Sequence, residues 1–141
     1  MKRARLILLC LGLGYFAFAA AATQLTCAIC GMPLEARAKT SFESTRNGKP
    51  VAFCSFACAM RFHRESPKTP LRAYDFETGK AIDALDAYFL VKAKGALKDL
   101  GETMPPVVPA FATEADAQKK QKELHEGHVV HGLDAAGKVY E

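Results

Sequence analysis

The chain predicts an α+β fold, two ββαβ units forming one compact domain after an N-terminal signal peptide. Three observations carry that prediction. A strand, strand, helix, strand order of apolar patterns occurs twice, and an Asn-Gly turn signal sits between the first two strands. The opening two dozen residues run from basic to apolar to small.

That opening segment is read as a secretory leader over residues 1–22. Lys2, Arg3 and Arg5 supply the positive end, residues 6–18 are uncharged and apolar, and the tract 19–22 is all alanine. Gly12 and Gly14 interrupt a stretch already short of the roughly 20 residues a spanning helix needs, so no stable membrane span is expected after cleavage. Cys10 follows Leu9 where a lipobox wants a small residue, so the protein is not expected to be a lipoprotein. The expected compartment is the periplasm, with residues 23–141 as the mature domain.

The first unit spans about 27–79. A strand over 38–44 places Thr40 and Phe42 on one face, Asn47-Gly48 turns the chain, and 50–54 returns. Ser55 is the expected N-cap of a helix over 56–65, with Met60 packed in the core and His63 on the solvent side. Pro67 and Pro70 end the helix, and 71–77 reads as a strand. The second unit spans about 80–132. Residues 88–91 read as a strand, although Ile82, Leu85 and Phe89 also fit helical spacing. Pro109 limits Val107-Val108 to a short or edge strand. Thr113-x-x-Asp116 resembles a capping box that opens a helix ending near Gly127, and Val129-Val130 begins the last strand. Residues 132–141 read as a turn and tail.

Removal of the leader takes the formal charge from +4 to +1, because its three charges are all positive. No basic stripe remains, and nucleic acid is not expected as a partner. No nucleophile, base and orienting group can be assembled from the sequence, which argues against hydrolysis; a lyase-like or redox enzyme would rest on fold analogy alone, and the chain is not expected to be an enzyme.

The chemistry lies in Cys27-x2-Cys30 and Cys54-x3-Cys58. Cys54 closes a strand and Cys58 falls in the first helical turn, where the helix N-terminus would favour its thiolate. Gly31 allows a tight turn around an ion, and the hairpin brings the two pairs together. Met32 adds a thioether beside the cysteines, and Met104 sits in a Pro-rich loop, as a ligand or as a cap on the core. Thiolates with thioethers are a soft donor set, suited to Cu(I) and, as the alternative, Zn(II).

Three other readings compete: disulfides bridging one pair to the other, a purely structural zinc, and a redox dithiol. The last is disfavoured because Cys27-x2-Cys30 precedes a hairpin instead of opening a helix. His125-Glu126 is no zinc-protease motif, since Gly127 intervenes and His128 comes three residues after His125. On a strand, His128 and His131 would point to opposite faces.

Taken in order, several segments resemble the NosL family of nitrous oxide reductase accessory proteins. They are Cys27-Ala-Ile-Cys30-Gly31-Met32, a hairpin containing Gly48, Phe53-Cys54-x3-Cys58, Ile82-Asp83, Met104 ahead of Pro109-Ala110-Phe111-Ala112, and a final Ala-rich helix. The cysteine block is also similar to the TRASH domains of heavy-metal trafficking and sensing. The NosL resemblance implies a periplasmic Cu(I) carrier serving a copper-receiving enzyme or its assembly machinery, with a fold related to organomercurial lyase. It places Cys30 and Met32 on the copper-associated motif and Met104 on the methionine preceding the Ala-Phe segment. The chain departs from the family in lacking a lipobox and in carrying more thiols at Cys54-x3-Cys58.

Overall fold

The computed structural model describes residues 25–34, 38–93, 97, 100 and 107–141. The expected leader and Met104 lie outside the described residues.

A short pair, β1 (Leu25–Thr26) and β2 (Pro33–Leu34), comes first. Next is the hairpin of β3 (Phe42–Arg46) and β4 (Lys49–Phe53), paired from Arg46↔Lys49 to Phe42↔Phe53. Its turn is Asn47-Gly48, with φ of 53° and 73°, the paired left-handed conformation that matches strand twist. Pro50 is tolerated because β4 lies at the edge of its sheet. The expected strand at 38–44 begins later, at Phe42. Ser41 turns back on Ala38, its amide and its hydroxyl both donating to the Ala38 carbonyl at 2.9 and 2.7 Å.

Helix α1 (Phe56–Glu65) starts at Ser55 as expected, the Ser55 hydroxyl accepting from the Cys58 amide at 3.4 Å. Strand β5 (Leu71–Tyr74) is shorter than expected because Asp75 opens a turn, its carbonyl accepting from Gly79 and its amide donating to Lys80. That turn produces β6 (Ala81–Asp83), antiparallel to β5.

In the second half, β7 (Tyr88–Val91) is a strand, which settles the helical alternative. Strand β8 is Ala110–Phe111, beyond the expected Val107-Val108. Helix α2 (Glu114–Leu124) is capped by Thr113, whose hydroxyl accepts from the Asp116 amide and donates to its carboxylate. It ends at His125, held left-handed at φ 53°. Strand β9 (His128–His131) follows, and then α3 (Leu133–Tyr140) forms where a turn and tail were expected. Packing overrides Gly137 within it and Gly132 at its N-cap. Leu133 and Ala136 are fully buried, and Tyr140 stands edge-on to Phe56 at 5.6 Å.

The two units repeat one topology. In the sheets β4-β3-β5-β6 and β8-β7-β9, β3 lies between β4 and β5, the strand that follows α1, and β7 lies between β8 and β9, the strand that follows α2, antiparallel in every pairing; β6, within the expected bounds of the second unit, instead joins the first sheet beside β5. The units share one core. Phe42 and Phe56 of the first unit meet Phe89 of the second at ring distances of 6.3 and 5.7 Å. A second tie is Asp75, 2 % exposed. Its carboxylate accepts from the Ala112 amide at 3.0 Å and from the Thr78 amide at 3.1 Å, while the Phe76 amide donates to Ala110.

Candidate metal centre

The N-terminal segment folds into a knuckle. The Cys27 amide donates to the Met32 carbonyl at 2.8 Å, and the Gly31 amide donates to the Cys27 carbonyl at 2.9 Å. This closure needs Gly31 at φ +75°, a conformation costly to any residue with a Cβ. The knuckle is fastened to the hairpin by a parallel bridge between Cys27 and Ala52 and by the Ala28 amide donating to the Ala52 carbonyl. Because β1 runs parallel to β4 there, Cys27 and Cys54 emerge at the same end. Helix α1 then brings Cys58 back over them.

The result is a cluster of four sulfurs. Cys30 Sγ lies 3.4 Å from Cys54 Sγ, Cys54 Sγ lies 3.7 Å from Cys58 Sγ, and all four fall within 4.8 Å of one another. Metal–sulfur bonds of about 2.3 Å in a tetrahedron put sulfurs about 3.8 Å apart, so small rotations suffice to grip one ion. All four are free thiols, and none is joined in a disulfide. The donor chemistry and the spacing both fit a soft ion.

Exposure divides the four cysteines. Cys27 is 2 % and Cys54 7 % exposed, and both belong to the main hydrophobic core. Cys58 is half-buried and packs against that core, whereas Cys30 is exposed on the crest of the knuckle.

Their protonation differs too. Burial raises the Cys27 thiol, but backbone amides of Cys30, Cys54 and Ile29 donate to its sulfur and bring it down to about 7. Burial, then hydrogen bonds with Cys30 and Cys27, push Cys54 far up. Cys58 is raised to about 11, by burial against the lowering effect of the Ser55 hydroxyl, and further by the negative charge of Cys27. Burial and the neighbouring Cys27 therefore outweigh whatever the helix N-terminus contributes at Cys58. Cys27 is thus the thiol drawn down toward neutrality, beside Cys54 and Cys58, which are pushed up.

The other sequence candidates fall in different places. Met32 is 43 % exposed directly after the knuckle, and its backbone carbonyl anchors the turn. The Met104 assignment lies outside the described residues. Met60 is buried in α1, as expected. His63, expected to be solvated, is 7 % exposed, with Nε2 3.2 Å from Asp134 Oδ1 on α3. Its Nδ1 is buried with no hydrogen-bond partner among the described residues. His125, His128 and His131 are exposed and stand outside the sulfur cluster. His131 lies against the Tyr88 ring at 4.6 Å. The amide of Ile29, one of the donors to Cys27, carried no sequence signal, because backbone donors are set by the turn and not by the side chain.

Fold and site together define an α+β protein with a four-cysteine cluster suited to a soft metal ion. Neither the protein-family models nor the curated proteins compared with the chain give a match.

Proposed function

We propose that this protein is an exported, periplasmic Cu(I) chaperone that passes copper to a cuproenzyme under assembly by ligand exchange. The observation that carries this reading is the cluster of four free sulfurs with one thiol open to solvent. Cu(I) accepts two to four soft donors, so an incoming sulfur can bind before a resident one leaves. Met32 adds an exposed thioether at the same edge, and Leu25 stands exposed on the same hairpin. These are two of the three large apolar side chains exposed among the described residues, as expected of a face that meets another protein. The resemblance to the NosL family makes nitrous oxide reductase, or its assembly machinery, the recipient of choice.

The second reading is a structural four-cysteine zinc module of the TRASH kind, used for sensing or for protein interaction. The near-tetrahedral sulfur spacing favours it. Anaerobic titration of the reduced protein with Cu(I) against a chromophoric chelator, beside the same titration with Zn(II), separates the two. The chaperone reading expects excess Cu(I) to displace bound zinc. Zinc that resists displacement assigns the protein to the structural reading.

A further inference from the structure

The three sulfurs other than Cys30 are tied into the scaffold. Cys27 is clamped through its amide, its carbonyl and its bridge to Ala52, and its side chain is part of the core. Cys54 follows directly on β4 and is likewise a core side chain. Cys58 sits in the capped first turn of α1 and packs against the same core. Withdrawing any of these sulfurs from an ion means moving a side chain in close-packed surroundings, at the expense of its contacts.

Cys30 is different. It is exposed, it lies outside both core clusters, and its sulfur meets the others at Cys54, 3.4 Å away, and at Cys27. Rotation about its Cα–Cβ bond releases it to water and leaves the knuckle hydrogen bonds intact, because they join Cys27 to Gly31 and Met32.

We propose that Cys30 is the exchangeable ligand, the position at which an acceptor's sulfur replaces a resident one, while Cys27, Cys54 and Cys58 form the holding set. The inference rests on the soft-metal reading of the site and holds for either metal. In the exchange, a bond forms between the metal and the acceptor thiolate, and the bond from the metal to Cys30 Sγ breaks. Cys30 leaves as a thiolate and takes a proton from water. No electron is transferred, and the metal stays bound to Cys27, Cys54 and Cys58 together with the acceptor's sulfur until the acceptor supplies more.

The test is competitive alkylation of the full chain loaded with one equivalent of Cu(I) under anaerobic conditions. Limiting iodoacetamide is added, the labelled cysteine is located by mass spectrometry, and retained copper is measured in the same sample. Cys30 should be labelled about tenfold or more faster than any other cysteine of the cluster, with copper still bound after that first label, because alkylation follows access to the sulfur. First labelling at Cys27, Cys54 or Cys58, or loss of copper with the first label, overturns the inference while leaving the metal site standing. A protein that takes up neither Cu(I) nor Zn(II) removes the metal reading and this inference with it. Two variants check the same point without alkylation. Cys30→Ser should retain Cu(I) at a chelator concentration that strips Cys54→Ser, and the reverse order refutes the assignment.

Discussion

Metal uptake should expel protons in a number the thiol environments fix. A bound soft ion needs thiolates, yet Cys54 and Cys58 are held as thiols in the free protein, Cys58 with its ionisation raised to about 11 and Cys54 raised further. Cys27, at about 7, is largely ionised slightly above neutrality and contributes little. At about pH 7.5, Cys54 and Cys58 alone should therefore release about two protons per ion, with the total rising by whatever Cys30 adds. Two released protons give apparent affinity a slope of at least about a hundredfold per pH unit through the range where both remain protonated. The sign is definite: affinity rises with pH and falls as the medium becomes acid. Calorimetric titration with Zn(II) in buffers of different ionisation enthalpy counts the protons directly, and Cys58→Ser should lower the count by about one. Release of fewer than one proton per ion, or an affinity flat between about pH 7 and 9, would refute the reasoning.

Three further substitutions probe the fold and the soft-metal assignment. Asp75→Ala removes the acceptor shared by Ala112 and Thr78, and should cost about 3 kcal/mol, or about 10 °C in thermal midpoint, with metal stoichiometry unchanged. Leu133→Ala should cost about 3 kcal/mol in a denaturant titration, because Leu133 is fully buried; a change near zero would return 132–141 to a frayed tail. Met104→Leu conserves volume and should leave stability nearly unchanged while weakening Cu(I) binding and sparing Zn(II). Equal Cu(I) affinity in wild type and variant would reduce Met104 to a packing role.

Much of this architecture is legible in the sequence where local chemistry decides the outcome. Asn47-Gly48 dictates its hairpin, and Ser55 and Thr113 cap the helices they precede, because each acts through bonds to near neighbours. Strand β6 and helix α3 escaped notice because distant partners stabilise them. Residues 81–83 become a strand once the Asp75 turn lays them on β5, and α3 draws on burial against Phe56 and Met60. The same division runs through the site. Cysteine spacing marks the four clustered cysteines, but their unequal exposure and the amides aimed at Cys27 arise only when the knuckle docks on Ala52. His63 was misread for a related reason: whether that face of α1 meets water depends on α3 lying over it.

The central claim is that the four cysteines act together as one soft-metal site. X-ray absorption at the copper edge, on reduced protein carrying one equivalent of Cu(I), tests it most directly. The expected first shell is sulfur alone, three or four donors at about 2.3 Å, with no metal–metal contribution at this loading. A shell dominated by nitrogen or oxygen, or one unchanged when Cys54 is replaced by Ser, would place the copper elsewhere and contradict the claim.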